Sequence, residues 1–440
     1  MKKSIFLILL SLCVLGVVSA QTAREEIDAH PHIAMATHSL YASPYYFEAI
    51  AKAPKGYEPF YISHYGRHGS RYESAQHFVD EFVATFRKAD SLGLLTPKGK
   101  EVKAFAEKYY AAHEGRIGEL TRPGFDQHKG IARRMYERFP EVFAKGNVIE
   151  SRASTIRRCI MSMAAFNESL KECQPKLKTQ MDTGECYMAV IRPTSLFNPA
   201  VPRDLKESKK GQGEPWHKRL VEWGNKQDMS RPLSLLFTDA KALNYAKGEF
   251  LLAHDIYKRL AFAQNLGWCD RTLLDSIFTP EERYTIYLYD NYNWYNIHLG
   301  THSDYSRRMV GYIRPLVEDI IYYADLAIEG KSGVAANLRF GHDYYLLSLL
   351  GGFNFNESRS DLDITNIEKF GEMWRGYKVI TKASNLQMVF YRSKKSDEVL
   401  VRFLHNENDV TLPIESATAP FYKWSDVKAY LLARLAYLEK

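Results

Sequence analysis

Residues 59–72 constrain the fold of this chain more than any other stretch. Residues 59–63 are aromatic and β-branched, and such a short run is typical of a buried strand. Gly66 and Gly69 follow, and glycine lets a backbone turn tightly and approach a ligand closely. From Tyr72 onward the apolar residues recur at helical spacing. The stretch therefore predicts a strand, a glycine turn and a helix.

The turn carries an imidazole and two guanidinium groups, those of His68, Arg67 and Arg71. A helix N-terminus favours an anion, and the fork of an arginine side chain matches phosphate oxygens. A histidine held beside a bound phosphate could attack the phosphorus atom. A basic surface loop would contain the same residues, because motifs this short also match by chance. The choice between the two interpretations depends on the rest of the chain.

Two later junctions repeat the pattern of reactive side chains after a strand. Residues 147–151 predict a second strand, and Arg158 lies in the first turn of the helix that follows, whereas Arg157 is expected to face solvent. A third strand at residues 337–340 leads into His342 and Asp343. In an open α/β sheet, ligands bind beyond the carboxyl ends of the strands. We therefore expect the three junctions to form one site.

The residues of these junctions suit the hydrolysis of a phosphomonoester. Arginine side chains can neutralise a phosphate dianion together with His342, without a metal ion. Neutral His68 can act as the nucleophile and form a phosphohistidine. Asp343 can protonate the leaving alkoxide and later activate water. The phosphate-binding residues are expected to be Arg67, Arg71, Arg158 and His342.

The middle of the chain differs in character from both ends. Between about residues 205 and 325 the pattern is helical and aromatic, with no convincing strand. Strands are predicted again at 379–380, 387–391, 399–404 and 410–412, the last two as a hairpin, before a final helix. We predict a discontinuous α/β catalytic domain over residues 21–195 and 330–440, and a helical insert domain over residues 196–329. Such an insert commonly forms one wall of a cleft and sets substrate choice.

The first 20 residues have the pattern of a secretory signal peptide. Lys2 and Lys3 precede an apolar run at residues 5–18, and a small-residue triplet ends at Ala20. We expect cleavage there, so that Gln21 begins a mature chain in the periplasm or outside the cell. An uncleaved membrane anchor is the alternative, although the apolar run is short for a bilayer span.

Composition and cysteine content narrow the possible classes of protein and ligand. The chain is 45% hydrophobic and 25% charged, as in a soluble enzyme, and its net charge is 59 − 52 = +7. That balance suits an anionic ligand or a generally basic surface, and the lack of a nucleic-acid motif argues against a nucleic-acid partner. No Cys/His cluster indicates zinc, and no cofactor is expected.

The mature chain keeps four cysteines. Export permits disulfides, and Cys173 and Cys186 are close enough in sequence to pair. Free buried thiols are the alternative. The remaining two are Cys159 and Cys269.

A second basic patch is conceivable in the middle of the chain. Lys209 and Lys210, or Arg307 and Arg308 after the histidine-containing loop at residues 298–302, could contact additional phosphates or only water.

Together these motifs resemble those of the histidine acid phosphatases, the second branch of the histidine phosphatase superfamily. That family carries R-H-G-x-R near its start, here residues 67–71, then a lone arginine, here Arg158, and an H-D or H-A-E motif, here His342-Asp343. The resemblance covers nearly all of the mature chain. It implies a phosphoglycerate-mutase-like, doubly wound α/β domain with a helical insert, and metal-independent phosphomonoester hydrolysis.

Within the family, the sequence looks most similar to the multiple inositol polyphosphate phosphatases. The shared features are R-H-G-S-R-Y at residues 67–72, S-T-x-x-R-C at residues 154–159, and the stretches 401–407 and 424–428. That subgroup carries H-A-E, whereas this chain has His342-Asp343-Tyr344, as in phytases and general acid phosphatases. The resemblance implies Asp343 as the proton donor and inositol polyphosphates such as phytate as substrates. A broad-specificity acid phosphatase is the alternative.

Two other classes of function use similar residues. A non-catalytic phosphate-binding protein would need the arginines, but neither His68 nor Asp343. A mutase that moves a phosphoryl group on a sugar acid belongs to intracellular metabolism, which export contradicts. We therefore expect a phosphatase.

Overall fold

The chain forms a mixed sheet with helices on both faces. The structure, a computed structural model, describes residues 21–41, 50–192, 211–268 and 271–440. The predicted signal peptide, Lys209, Lys210 and Cys269 lie outside these ranges. No helix within them is both long and apolar enough to cross a membrane.

Eight strands build the sheet in the order β3-β2-β4-β1-β5-β6-β7, with β8 also paired to β6. Strands β1 to β4 are parallel to one another, and β5 to β8 continue the sheet in antiparallel pairs. Their bounds are β1 Tyr57–Arg67, β2 Val148–Ala153, β3 Lys178–Thr183, β4 Val334–Gly341, β5 Asn385–Ser393, β6 Ser396–His405, β7 Asn408–Val410 and β8 Phe421–Lys423.

Helices connect and cover the strands. The α-helices are α1 Ala23–Ala29, α2 Gln76–Ser91, α3 Pro97–His113, α4 Arg122–Arg138, α5 Arg157–Cys173, α6 Met188–Ile191, α7 Pro215–Gly224, α8 Ser230–Leu236, α9 Glu249–Phe262, α10 Arg271–Ile277, α11 Pro280–His298, α12 Asp304–Gly311, α13 Arg314–Ile328, α14 Asp343–Phe353, α15 Ile367–Met373, α16 Gly376–Val379 and α17 Trp424–Leu438. Between Thr183 and Val334 the described residues contain helices and no strand longer than an isolated bridge at Phe237. The domain boundaries at residues 195 and 330 stay a prediction.

Alternation along β1 creates two cores. Tyr61 and Tyr65 point to one face of the sheet, where α13, α14 and α17 pack, while Ile62 points to the other, under α4 and α5. Both faces are buried, as expected for parallel strands covered by helices. The predicted doubly wound α/β class is therefore confirmed.

Strand register brings the predicted junctions together. Arg67 on β1 is the partner of Gly341 on β4, and Ala153 on β2 is the partner of Phe340 on the same strand. The pairing continues one residue further, because the His68 amide donates to the Gly341 carbonyl at 3.1 Å. All three carboxyl ends therefore lie at one edge of the sheet.

Of the local predictions, one hairpin is confirmed, one strand is wrong, and one observed strand was not predicted. The hairpin of β6 and β7 is confirmed, with Asn406 and Glu407 in left-handed conformations of the kind that tight hairpin turns use. The strand predicted at 379–380 is wrong, since α16 ends there and β5 begins only at Asn385. Val379 and Ile380 are β-branched, and such residues also fit a buried helical turn, so the sequence did not distinguish a strand from a helix. Strand β3 escaped prediction because it is a mostly exposed, polar edge strand.

The suggested pair of Cys173 and Cys186 is not formed, and both are free thiols, as is Cys159. Cys173 ends α5, next to the start of β3, whereas Cys186 follows the end of β3. A six-residue strand spans about 20 Å, well beyond the reach of a disulfide. The fold itself keeps these thiols apart.

Two buried histidines should make the protein sensitive to acid. His64 and His128 pack around Phe340, and burial lowers the pKa of each to about 3. As pH falls, the two histidines become protonated in the unfolded chain before they do so in the folded protein. Their contribution to the free energy of unfolding is therefore fully present above pH 6.5 and is lost as pH drops toward 3. Each histidine contributes a slope of about 1.4 kcal/mol per pH unit within that window.

We expect His128→Leu to flatten this slope in denaturant titrations between pH 6 and 4, and the exposed His77→Leu to leave it unchanged. An equal slope in both variants would contradict this assignment.

Candidate active site

A cleft of about 340 Å³ opens at the carboxyl ends of β1, β2 and β4. Its volume is within the range of small-molecule sites. The sheet side and the helices α9 and α11 face each other across it. Its lining includes His38, His68, Arg71, Glu73, Arg158, Lys258, Arg259, Asp290, Asn293, Trp294, Ile297, His298, His342, Asp343 and Tyr344.

His68 is positioned as a neutral nucleophile. Its side chain is buried, and Nδ1 lies 2.9 Å from the Gly69 carbonyl oxygen. Because a carbonyl can only accept a hydrogen bond, Nδ1 carries the proton and Nε2 keeps its lone pair. Burial lowers the pKa of His68 well below its ordinary value, and Arg158 and Arg67 lower it further. The imidazole is therefore uncharged at mildly acidic pH.

The glycines of the motif serve close packing. A Cβ atom on Gly69 would come within 2.5 Å of the Gly124 carbonyl oxygen on α4, and one on Gly66 would meet the His64 ring. The helix predicted from Tyr72 begins only at Gln76, so its N-terminus does not directly follow the motif. The helix N-termini next to the site are instead those of α5 and α14.

Arg67 is a fully buried anchor. Its Nη1 donates to the carbonyl oxygens of Thr37 at 2.7 Å and Thr381 at 2.8 Å, and its Nη2 donates to Asp343 Oδ2 at 2.6 Å. These bonds fix the guanidinium between the Thr37 and Thr381 carbonyls and the Asp343 carboxylate. Arg67 thus supplies fixed positive charge and orients Asp343.

Arg158 is free to meet a ligand. It lines the cleft, its Nε is buried without a hydrogen-bond partner, and no described carboxylate forms an ion pair with it. The neighbouring Arg157 is exposed and pairs with Glu119 at 3.2 Å, as the prediction of a solvated side chain required. An arginine held near other cations without a carboxylate is the arrangement that an anionic ligand completes.

His342 completes the sheet side of the cleft. Its ring centroid lies 5.7 Å from that of His68, and it stacks on Tyr344. Its Nε2 is 3.2 Å from the Ser154 hydroxyl, which fixes the orientation of the ring. Burial, followed by Arg158 and Arg192, lowers the pKa of His342 well below its ordinary value. His342 can therefore offer a hydrogen bond to a phosphoryl oxygen without adding charge.

The groups around Asp343 favour its carboxylate form. Its Oδ2 accepts from Arg67, and its Oδ1 accepts from the Tyr344 amide at 3.0 Å. Burial favours the neutral acid, but Arg67, then Lys382, outweigh it and hold the pKa of Asp343 well below its usual range. A bound phosphate dianion would offset these cations and favour protonation.

The predicted site residues thus converge, and the structure adds others. Lys382 is fully buried, and its Nζ lies 5.6 Å from the centre of the Phe262 ring, with no hydrogen-bond partner among the described residues. Burial, with Arg67 and Arg71, lowers the pKa of Lys382 well below its ordinary value. No local pattern marks this lysine, since its contacts come from distant parts of the chain. Among the described residues of the predicted second patch, only His298 lines the cleft. Arg307 and Arg308 pair with Asp304 on their own helix.

No group of three or more His, Cys, Asp or Glu side chains in the described ranges is arranged to hold a metal ion. The side chains that line the cleft can supply a nucleophile, bind an anion and transfer protons.

A comparison with known families defines the class. The model of the histidine phosphatase superfamily, branch 2, matches residues 66–406, which include all six predicted site residues. The chain belongs to this family, and it is a phosphomonoester hydrolase of the histidine acid phosphatase type.

Individual relatives agree with this assignment. Multiple inositol polyphosphate phosphatase 1 of Gallus gallus is 23% identical over 438 residues, 94% of this chain and 89% of that protein. The crystal structure of a multiple inositol polyphosphate phosphatase of Bifidobacterium longum with inositol hexasulfate superposes with a TM-score of 0.73 at 19% identity, over 90% of this chain and 97% of that one. The phytase from D. castellii gives a TM-score of 0.65 at 15% identity, over 92% and 85%. At these identities the two structures establish a shared fold.

The two adjacent arginines of α5 allow a matched test of phosphate binding. Arg158→Met should weaken the binding of inorganic phosphate about tenfold or more, because charge-assisted hydrogen bonds contribute about 1.5–3 kcal/mol. Arg157→Met removes the same charge one residue away, outside the cleft, and should change the affinity less than twofold. Isothermal titration calorimetry measures both. Equal losses would show that overall charge, and not contact, controls phosphate affinity.

Proposed function

We propose that this protein is an exported, metal-independent phosphatase that removes phosphate from inositol polyphosphates through a phosphohistidine at His68. The observation that carries the mechanism is a buried, neutral imidazole whose Nε2 is unprotonated, surrounded by Arg67, Arg71 and Arg158. This combination supports attack on a phosphoryl group, since the guanidiniums stabilise its charge while leaving the nucleophile its lone pair.

The first step transfers the phosphoryl group to the enzyme. His68 Nε2 forms a bond to phosphorus while the bond from phosphorus to the alcohol oxygen breaks. Asp343, protonated once the substrate dianion has offset Arg67 and Lys382, gives its proton to the departing oxygen. The geometry supports this role, because Asp343 lines the cleft on the same edge of the sheet as His68.

The second step releases phosphate. Asp343, now a carboxylate, takes a proton from a water molecule whose oxygen attacks the phosphorus atom. The bond from phosphorus to Nε2 breaks and restores neutral His68. Arg71, Arg158 and His342, which line the cleft, hold the phosphoryl oxygens during both steps, while buried Arg67 adds positive charge behind them. The Gly69 carbonyl keeps the proton on Nδ1 of His68.

The choice of inositol polyphosphates rests on the relatives and on the cleft wall. The two proteins named as multiple inositol polyphosphate phosphatases match over about nine-tenths of this chain. Four cationic side chains line the cleft, Arg71 and Arg158 on the sheet side and Lys258 and Arg259 on the helical wall, against three carboxylates. This excess of positive charge suits a substrate with several phosphates. We also propose that this wall belongs to a separate helical domain over residues 196–329, and that the first 20 residues direct export.

Substrate comparison tests the function. The mature chain is assayed for phosphate release at mildly acidic pH with EDTA present, using inositol hexakisphosphate, a sugar phosphate and an aryl phosphate. We expect the fastest release from inositol hexakisphosphate. Equal release from all three would indicate a broad-specificity acid phosphatase, and loss of activity with EDTA would contradict metal independence.

Replacement of the two catalytic residues separates their roles. His68→Ala should abolish turnover of every substrate while inorganic phosphate still binds. Asp343→Asn should lower kcat about 10²- to 10⁴-fold for inositol phosphates, whose alkoxide leaving groups need a proton, and much less for an activated aryl phosphate. Steady-state kinetics on both substrates measure the difference. Equal losses would remove Asp343 as the proton donor, and normal turnover by His68→Ala would overturn the mechanism.

A further inference from the structure

A buried carboxylate lies beside one of the phosphate-binding arginines. Glu73 follows Arg71 by two residues, lines the cleft and is 1% exposed. Its Oε2 is 3.7 Å from Arg71 Nη1, so the two form an ion pair without a short hydrogen bond. A carboxylate in this position competes with a phosphate for the same guanidinium.

A second arginine binds the other carboxylate oxygen of Glu73. Arg259, on helix α9, donates from Nη1 to Glu73 Oε1, and the Tyr109 hydroxyl donates to the same oxygen at 2.9 Å. Arg259 is itself buried, with its guanidinium 5.1 Å from the centre of the Phe78 ring. The pair joins residues 186 positions apart, and so connects the helical wall to the motif loop.

Arg71 keeps donors that no carboxylate has taken. Its Nη1 donates to the Tyr72 carbonyl at 2.8 Å, and its Nε is buried without a hydrogen-bond partner in the described structure. Its guanidinium rests 5.7 Å from the centre of the Phe262 ring, next to the cleft. The Glu73 carboxylate would satisfy these donors if nothing else held it, because a buried charge needs a partner.

We propose that Arg259 is a positioning residue for phosphate binding: it holds the Glu73 carboxylate, so that Arg71 stays available to the phosphoryl group of the substrate. This inference rests on the proposed phosphatase function and deepens it. It gives the helical wall a part in binding the reacting phosphate itself.

The charges around Glu73 agree with this arrangement. Burial favours the neutral acid, but Arg259 and then Arg71 outweigh it and hold the pKa of Glu73 below its usual value. The groups that face Glu73 are Arg71 from its own loop, Tyr109 and His113 from α3, Arg259 from α9, and Lys382 from the loop before β5. Without Arg259, the desolvated carboxylate would turn Arg71 toward itself or take up a proton.

If Glu73 binds Arg71 when Arg259 is absent, KM should depend on pH. In Arg259→Met, KM should rise at least tenfold relative to the wild type, with a smaller change in kcat. The rise should shrink as pH falls, because protonated Glu73 no longer holds Arg71. Ionisation of the substrate is common to all variants, so the ratio to the wild-type KM isolates the effect of Glu73.

The double variant Glu73→Gln/Arg259→Met provides the decisive comparison. Removal of both charges should return KM to within about threefold of the wild type and abolish the added pH dependence. The melting temperature of each variant is measured as a control. A merely structural role of Arg259 would not give a KM that changes with pH in a variant whose melting temperature is unchanged. A double variant as defective as Arg259→Met would show that Arg259 contacts the phosphate directly and would overturn the proposal.

Lys258→Met is the matched control. Lys258 precedes Arg259 on the same helix and pairs with Asp290 at 3.8 Å, not with Glu73. Its loss removes one positive charge from the wall of the cleft, so KM should change by the same factor at every pH. The same dependence in Lys258→Met would also contradict the proposal.

Titration of the four proteins with inorganic phosphate gives a readout that does not require turnover. A wild-type protein without activity on any phosphomonoester would end the proposed function, whereas the pattern of phosphate affinities would still test the role of Arg259. The expected pattern is at least tenfold weaker binding in Arg259→Met and recovery in the double variant. Uniform affinities would overturn it.

Discussion

Parallel pairing of β4 with both β1 and β2 is the constraint on which the site depends. The registers Arg67 to Gly341 and Ala153 to Phe340 bring three loops, separated by long stretches of sequence, to one edge of the sheet. Each loop supplies a different chemical group, and none is sufficient alone. A one-residue slip in either pairing would turn the adjoining side chains to the opposite face and dismantle the site.

The second theme is positive charge that the protein buries and only partly neutralises. Arg67 donates one N–H to Asp343, and both Arg71 and Arg259 pair with Glu73. Arg158 has no carboxylate partner in the described structure. This excess favours a phosphate dianion, and it adds to burial, the larger cause, in lowering the pKa of His68 and keeping the imidazole neutral. It also explains why Asp343 is ionised before substrate arrives, and ties its protonation to binding.

The sequence was sufficient to predict the sheet class, and its local motifs indicated six residues that the structure places at neighbouring strand ends. The roles of these six residues stay a prediction. The strand pattern ends at His68 and at His342, and charged side chains lie next to each of these histidines in the sequence. The pair of Glu73 and Arg259 could not be predicted, since it depends on how the helical segment packs against the motif loop. The strand assigned to residues 379–380 failed for a related reason: β-branched residues report burial, and burial is common to strands and short helices. The buried Lys382 has no sequence signal at all.

The central claim is that His68 is phosphorylated during turnover, and trapping the phosphoenzyme tests it most directly. The protein is mixed with an aryl phosphate, quenched in base to preserve phosphohistidine, digested, and analysed by mass spectrometry. The account predicts a phosphoryl group on the peptide that contains His68, in larger amount in Asp343→Asn, where hydrolysis of the intermediate is slowed, and none in His68→Ala. Turnover without a phosphorylated peptide, or a phosphoryl group on another residue, would contradict it.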